Sequence, residues 1–224
     1  MRPKVRLQHK KVQKSDQSVK LDGAQICVGR VQRNDQLGAR VARKGFRKNY
    51  AMSDSVTDPS ALRFAVAGGI PNSRLPLLLY RTAVGTAGSD PAAAFEGRFA
   101  RHGWVGAWRD GIYDFPHYHT TAHEVLGIAR GWARVRFGGE AGETIRVAAG
   151  DVAVLPAGTG HERLEGSADL LVVGAYPDGQ EADLVRADRQ PLTAAAIARI
   201  AAVPLPEQDP VRGGPMKAWR EGRE

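Results

Sequence analysis

The chain of 224 residues is long enough for one domain with a sizeable core, and a second domain would be small. Its contents of 42% hydrophobic and 25% charged residues are ordinary for a globular protein, and its single cysteine, Cys27, excludes an internal disulfide framework. The longest apolar runs, at 75–80 and 170–176, are too short to span a bilayer and no signal-peptide stretch stands at the N-terminus, so we expect a cytoplasmic protein with no membrane partner.

The net charge of +8 is concentrated at the N-terminus. Residues 1–51 carry 14 lysine and arginine residues against 3 acidic ones, whereas residues 52–224 carry 18 against 21. The first segment also lacks a sustained apolar period and is poor in aromatic residues, so it should not bury a core. The sequence therefore predicts two parts that meet near Met52: a basic, disordered extension at 1–51 and a single folded domain at 52–224.

Three interpretations of the basic extension remain open. A basic arm can bind nucleic acid or an anionic surface through phosphate contacts, but no nucleic-acid-binding module accompanies it, and aromatic residues that would stack on bases are nearly absent. A solvated tail without a partner is the second interpretation. The third is a natural start at Met52, because "MSDSVTD" reads as an ordinary beginning. Nucleic acid is therefore not the partner we expect.

Deleting residues 1–51 should leave the stability of the folded domain unchanged, because a segment that buries no core adds little to the free energy of unfolding. Thermal melts of the full chain and of a chain that starts at Met52 should coincide, and limited proteolysis should trim the full chain to the neighbourhood of Met52. Protection of the extension from the protease, or a lower melting temperature after the deletion, would contradict this expectation.

One strand and one helix are the first elements predicted after Met52. The segment "IPNSRLPLLLYR" begins with turn-forming residues and continues as a short apolar strand. The segment "SDPAAAFEGRFARHGW" predicts a helix that begins after Asp90 or Ser89, has Pro91 in its first turn and ends at Gly103. Its two phenylalanines stand four residues apart, so they would share one face and pack against a larger surface.

After this helix the apolar pattern changes from a helical to an alternating one. The short segments "EVLGIAR", "WARVRF", "ETIRVA", "DVAVLP" and "LLVVGAY" are rich in branched apolar residues and are separated by Gly, Pro or acidic turns. Short strands at near-regular spacing predict a mainly β domain, either an antiparallel sandwich or a barrel. The segment "TAAAIARIAAV" predicts one more helix, which the prolines of "PLPEQDP" end.

Three of the six histidines lie within seven residues, in "GIYDFPHYHTTAHEVLGIARG". Gly111 is followed by five residues and His117, then by one residue and His119. Four residues separate His119 from Glu124, and six more precede Gly131. A lone histidine is more often structural than a ligand, but several ligand-type side chains at a defined spacing indicate a site.

A second pattern begins at Gly150, eighteen residues after the first one ends. Five residues lead to Pro156, one more to Gly158 and two more to His161. In order and spacing the two patterns resemble the two-part signature of the cupin superfamily. The one departure is Glu165, where that family often has Asn, at a position that is not a metal ligand.

Further segments are similar to those of the YjlB-like group of bacterial cupins: "IPNSRLPLLLYR", "GTGHERL", "LLVVGAYPDGQ" and "PLPEQDPVRGGP". The likeness covers most of 64–219 and none of 1–51. The resemblance implies a single cupin-type antiparallel β-barrel, or jelly roll, with a few flanking helices and a motif core at about 95–180. Because cupin barrels commonly pair their exposed sheet edges, it also implies a homodimer. The metal ligands that it implies are His117, His119, Glu124 and His161.

The residue types support a metal site without the resemblance. His117 and His119 stand two apart on an extended segment and project to the same side. Glu124 starts the next strand, and His161 follows a turn that glycines keep tight. Neutral imidazoles with one carboxylate suit iron, manganese, nickel, zinc or copper and do not suit calcium or magnesium. Adjacent strand residues face opposite ways, so either Glu124 or its neighbour His123 points inward; family spacing selects Glu124, and an irregular loop would select His123.

Other side chains are candidates for the cavity wall. Arg134 and Arg136 share one face of "WARVRF", which indicates either a solvated exterior, the interpretation we favour, or an arginine that holds a substrate carboxylate. Tyr113 and Tyr118 flank the first motif and are the candidate catalytic residues, as acid, base or lid.

Two classes of function remain open. The first is an enzyme for an unknown small molecule, either an oxygenase in which iron binds dioxygen or an isomerase or lyase in which the metal polarises a carbonyl. The second is a non-catalytic module that binds a small molecule or a metal for storage, sensing or stabilisation. An open coordination position and a substrate-sized pocket would favour the enzyme, whereas a plugged cavity would favour the module.

Overall fold

The computed structural model describes residues 56–221, and the predicted basic extension at 1–51 lies outside these described residues. Their elements are β1 (Ser60–Leu62), β2 (Leu77–Tyr80), α1 (Pro91–Arg101), β3 (Trp104–Asp110), β4 (His117–Tyr118), β5 (Glu124–Arg130), β6 (Trp132–Phe137), β7 (Glu143–Ala148), β8 (Val152–Leu155), β9 (His161–Gly166), β10 (Leu171–Pro177), β11 (Val185–Arg186), α2 (Ala194–Ala202) and α3 (Lys217–Arg220).

The strands form two antiparallel sheets. One has six strands in the order β1-β2-β8-β5-β10-β3, and the other has five in the order β11-β4-β9-β6-β7. Neighbours in each sheet come from distant parts of the chain: β4 pairs with β9 in the five-stranded sheet, and β5 pairs with β8 in the six-stranded sheet. The predicted fold class is confirmed: the chain is mainly β, a jelly roll with a few flanking helices.

The central strands β2, β8 and β5 of the six-stranded sheet are buried on both faces. Leu126 and Ile128 of β5 pack between the sheets with Val135 of β6, whereas Val125 and Ala129 face the other way, toward α1. A strand covered on both faces needs apolar residues at every position, which explains why "EVLGIAR" and "DVAVLP" read as continuous apolar runs. This sheet carries Glu124 at the start of β5, whereas His117 and His161 begin strands of the five-stranded sheet.

Helix α1 covers the outer face of the six-stranded sheet and begins at the predicted Pro91. Phe95 and Phe99 are both fully buried, as their four-residue spacing predicts. They pack on Gly127 of β5 so closely that a Cβ atom there would lie 2.2 Å from the Phe95 ring. The glycine is therefore required for the helix to dock.

The prediction for the second helix is confirmed within one residue at each end. Thr193 caps α2, since its hydroxyl accepts a hydrogen bond from the backbone N–H of Ala196 at 3.1 Å. Strands β1, β3, β9 and β11 and helix α3 were not predicted. Among residues 56–221, no helix is both long enough and apolar enough to cross a bilayer.

Candidate metal centre

The ends of three strands carry the residues that the two sequence patterns single out. His117 begins β4 and His119 follows it, Glu124 begins β5, and His161 begins β9. His117 and His161 are direct partners in the β4–β9 pair, and their ring centroids are 4.0 Å apart. The turn before β9 contains Gly158 with a φ of +88°, a conformation that glycine adopts without strain. Sheet pairing thus joins two patterns that are far apart in the sequence.

The structure brings all four of these side chains together. Ligand-type nitrogen atoms of the three histidines lie within 4.8 Å of one another. The Oε2 atom of Glu124 lies 3.4 Å from Nε2 of His119 and 3.2 Å from Nε2 of His161. All four residues are buried.

Each of the three imidazoles hydrogen-bonds through Nδ1 to a backbone carbonyl oxygen. Because a carbonyl oxygen only accepts, Nδ1 carries the proton, and Nε2 of the neutral ring keeps its lone pair. Three lone pairs are therefore available in one small volume. Proteins orient metal-binding histidines in this way, through a hydrogen bond made by the other ring nitrogen. The carbonyls that hold His117, His119 and His161 belong respectively to Phe115, Asp183 and Thr159.

The Oε2 atom of Glu124 is buried and has no hydrogen-bond partner among the described residues. The two Nε2 atoms beside it carry no proton when their rings are neutral, so the carboxylate faces lone pairs. An unsatisfied buried acceptor costs about 1–3 kcal/mol, and more when it is charged. A cation between the carboxylate and the imidazoles would remove that cost, and the donor set fits a divalent transition metal.

The pKa values of the cluster show which group holds a proton when no cation is bound. Burial lowers the pKa of His117 to about 3, and the neighbouring His161 adds to the effect. Burial alone would lower the pKa of His119, but the Glu124 carboxylate outweighs it and the pKa rises above its ordinary 6.5. Burial would raise the pKa of Glu124, but the two imidazoles hold it well below its usual range. Glu124 is thus ionised and His117 neutral near pH 7.

The cluster opens into a cavity of about 540 Å³. This volume lies within the range of about 300–1,000 Å³ that is usual for small-molecule sites. Its wall combines apolar side chains with many polar and charged groups. The apolar side chains include Trp108, Ile112, Leu126 and Leu184, and the polar ones outside the cluster include Tyr113, Arg163, Tyr176 and Asp183.

The two candidate catalytic tyrosines lie in different places. Tyr113 is 52% exposed, lines the cavity, and its ring meets that of His117 edge-on at 5.1 Å. Tyr118 follows His117 on β4 and therefore faces the other way, where it is fully buried against Ile70 and Val185. Tyr118 does not line the cavity. Of the two tyrosines, Tyr113 therefore stays the candidate acid or base.

His123 and Glu124 point in opposite directions, as strand geometry requires. The Nδ1 atom of His123 accepts a hydrogen bond from the backbone N–H of Ala157 at 2.9 Å, and its ring lies 4.7 Å from that of Trp219. Glu124 is the one of the pair that faces the three histidines and lines the cavity. The residue that the family spacing selects, Glu124, is thus the one that points toward the histidines.

Arg134 and Arg136 lie on the outer face of the five-stranded sheet. Strand β6 alternates, with its apolar residues buried and its arginines directed outward. Arg134 pairs with Glu165 at 3.5 Å, and Arg136 donates to Glu162 at 2.6 Å. Neither arginine lines the cavity, so the favoured interpretation of a solvated exterior agrees with the structure.

Sequence reasoning missed several polar residues of the cavity wall, among them Tyr176 and Arg163. The Tyr176 hydroxyl accepts a hydrogen bond from the Trp108 indole at 3.0 Å, and its pKa is raised by burial and by the nearby Glu124. Arg163 stands two residues after His161 on β9. The alternation of side chains along a strand was the available signal, since residues two apart share a face.

No protein-family model matches the chain. The chain is 38% identical over 147 residues to the uncharacterized protein YjlB of Bacillus subtilis (strain 168), and the match covers 65% of this chain and 86% of that protein. The relative is therefore similar over most of its own length.

Three solved structures illustrate the likeness at the level of structure. An uncharacterized conserved protein with a double-stranded beta-helix domain from Klebsiella pneumoniae subsp. pneumoniae MGH 78578 is 14% identical, with a TM-score of 0.31 and coverage of 68% of this chain and 100% of that one. Acireductone dioxygenase from Bacillus anthracis, with a cadmium ion in its active center, is 16% identical with a TM-score of 0.32; the match covers 42% of this chain and 63% of that one. Oxalate decarboxylase of Bacillus subtilis is 18% identical with a TM-score of 0.30, over 53% of this chain and 29% of that one. Likenesses at this level carry no argument about function.

Proposed function

The chain belongs to the YjlB-like group of cupins, and from that premise we propose that it is a metal-dependent enzyme that acts on a small molecule. One observation carries the proposal. Three imidazole lone pairs and a buried, unsatisfied carboxylate oxygen meet at the wall of a cavity of about 540 Å³. A purely structural metal site would have no need of a cavity beside it.

We propose one divalent transition metal per chain, with the remaining coordination positions directed into the cavity. The candidates are iron, manganese, nickel, zinc and copper, because imidazole-rich sets favour these over calcium and magnesium. Residues 56–221 contain no cysteine, which argues against a closed structural zinc site. The proposed ligands are His117, His119, Glu124 and His161.

The reaction that we propose is of the oxygenase type or of the isomerase or lyase type. A bound metal would supply a Lewis acid for a carbonyl group or, in the case of iron, a binding position for dioxygen. The Tyr176 hydroxyl, which the Trp108 indole orients, keeps its proton because its pKa is raised, and it serves as a hydrogen-bond donor beside Glu124. Tyr113 at the half-exposed edge of the cavity is the proposed acid or base.

A non-catalytic module that binds a small molecule or a metal is the alternative. Such a module needs the same ligands but no group that transfers protons. Tyr113 and Tyr176 both line the cavity, which favours the enzyme. Turnover, and not binding, therefore separates the two functions.

Elemental analysis of the purified full chain, before and after loading with each of the five metals in turn, tests the proposal. We expect close to one equivalent of one metal. We also expect the loaded protein to turn over a compound in a screen of small carbonyl and carboxylate compounds, with dioxygen uptake and NMR as the readouts. The exposed Arg134→Gln variant is the control and should behave as the unmodified chain. Failure of every metal to bind would refute the proposal, and tight binding of a compound without turnover would favour the module.

We also propose that the protein is a homodimer. In the described part of the chain, the strands at the sheet edges are β1 and β3 in one sheet and β7 and β11 in the other. Edge strands present unpaired backbone groups, and pairing two identical edges about a two-fold axis satisfies them. Light scattering should give about twice the monomer mass of 24.1 kDa, and a monomer at micromolar concentration would contradict the proposal.

A further inference from the structure

We propose that Arg163 binds the carboxylate of the substrate, and that the substrate is a small monocarboxylic acid with an apolar body. The inference rests on the proposed function, because it uses the cavity beside the metal centre. It assigns a chemical class to the molecule that enters the cavity, which the metal cluster by itself does not.

The position of Arg163 follows from its strand. In the β9–β6 pairing, His161 lies opposite Phe137 and Arg163 lies opposite Val135, and both of these β6 side chains point into the interior. Residues two apart on a strand share a face and stand about 7 Å apart, from a rise of about 3.3 Å per residue. A small molecule in the cavity can therefore contact the metal centre and the guanidinium at the same time.

Among residues 56–221, the guanidinium is held by a hydrogen bond at its Nε edge. The Nε atom of Arg163 donates a hydrogen bond to the carbonyl of Ile112 at 3.0 Å, and the backbone N–H of Arg163 donates to the carbonyl of Tyr113 at 2.8 Å. These bonds tie the arginine to the loop that forms the cavity edge. The two terminal Nη groups remain for a ligand, and together they can donate hydrogen bonds to both oxygens of a carboxylate.

No acidic side chain among residues 56–221 forms an ion pair with Arg163. The other arginine of the cavity wall differs, since Arg109 is paired with Asp90 and with Glu96. A half-buried cation without a counter-charge is stabilised when an anion binds to it. Arg163 is therefore the positive group of the cavity that is available to a ligand.

The charge of the cavity disfavours a ligand with two negative charges. Its wall carries two arginines and four carboxylates, so a divalent metal brings the formal charge to zero with Arg163 included. The wall then has no net positive charge to balance a dianion such as a phosphate monoester, whereas the single charge of a carboxylate can pair with Arg163 directly. The apolar side chains in the same wall favour a body such as an aliphatic chain or an aromatic ring.

Calorimetric titration of the zinc-loaded full chain with benzoate, benzyl alcohol and phenyl phosphate tests the assignment. We expect benzoate to bind most tightly of the three. Arg163→Gln should weaken benzoate about 10- to 100-fold, the usual effect of losing a charged hydrogen-bonding partner, and should leave benzyl alcohol unchanged. Arg134→Gln, which removes an exposed arginine outside the cavity, should leave benzoate binding as it is.

Arg163→Lys covers the case in which Arg163→Gln does not fold. It keeps the positive charge but loses the bidentate contact, so it should weaken benzoate and still prefer benzoate to benzyl alcohol. Equal benzoate binding by the unmodified chain and a folded Arg163 variant would overturn the assignment, as would absence of benzoate binding to the unmodified chain. Tighter binding of phenyl phosphate than of benzoate would overturn the monocarboxylate class.

The metal content of each sample separates this inference from the proposed function. If the unmodified chain takes up no zinc or other metal, the proposed function fails. Benzoate binding to that metal-free chain, lost in Arg163→Gln, would still support the role of Arg163. If metal binds stoichiometrically but benzoate affinity is the same with and without the Arg163 side chain, the inference fails and the proposed function stands.

Discussion

Replacing His161 with alanine is expected to remove stoichiometric metal from the protein while the jelly roll stays folded. The variant deletes one of three clustered imidazoles and leaves Glu124 with fewer neighbours to share a cation. Loss of a ligand should weaken metal binding by more than the roughly 10- to 100-fold that loss of an outer partner costs. The core between the sheets consists of apolar side chains and includes none of the four cluster residues, so circular dichroism should show an intact β fold. Elemental analysis after dialysis gives the metal content.

His123→Ala is the matched control for this experiment. His123 is buried like the cluster histidines but contacts Ala157 and Trp219, so its loss should lower the melting temperature and leave metal occupancy nearly intact. Glu124→Ala should reduce occupancy as His161→Ala does. If His123→Ala empties the site and Glu124→Ala does not, the carboxylate has been assigned wrongly. If every variant keeps its metal, the metal lies elsewhere.

Metal affinity is expected to fall as the pH is lowered from 8 to 5, because protons and the metal compete for the same imidazole lone pairs. Glu124 does not compete, since its pKa is held well below its usual range, and His117 does not compete until the pH nears about 3. His119 competes near neutral pH, because its pKa is raised above 6.5. Below that raised pKa, the affinity should fall about tenfold for each pH unit, the slope for one displaced proton.

Competition with a chromophoric chelator over this pH range measures the slope. Calorimetry in buffers of different ionisation enthalpy counts the protons released, and about one proton per metal is expected near neutral pH. A His119→Gln variant, which keeps a polar side chain but has no group that titrates in this range, should bind more weakly with a flatter pH dependence. Affinity that is constant between pH 5 and 8 in the unmodified chain would contradict the proposed ligand set.

The strands were predictable where the chain alternates or runs apolar over a full strand. Strands β5, β6 and β7 begin and end at the predicted residues. Strand β3 was not predicted, because only its first residue, Trp104, is buried and its pattern resembles an exposed loop. Helix α3 was not predicted either, because it is too short to show a period and is held by the burial of Trp219.

The candidate cluster was predictable for a different reason. The four cluster residues stand at the ends of strands, so the lengths of the strands and loops of this fold set their order and spacing. Spacing along a chain is visible in the sequence. Tyr176 and Arg163 lie outside both motifs. Alternation along β9 places Arg163 on the same face as His161, but alternation alone did not show that this face, and not that of Arg134 and Arg136, lines a cavity.

The sequence by itself determined the mainly β fold, the helix that begins at Pro91 and the four ligand-type residues of the candidate metal centre. These depend on local quantities: the period of apolar residues, the chemistry of caps and turns, and the distance between residues along the chain. Only the tertiary structure decided which polar side chains face the cavity. It placed Tyr118 against the core, Arg134 in solvent and Arg163 beside the histidines, because strand pairing and sheet packing select which face of each strand lies inside, and both depend on contacts between residues far apart in the sequence.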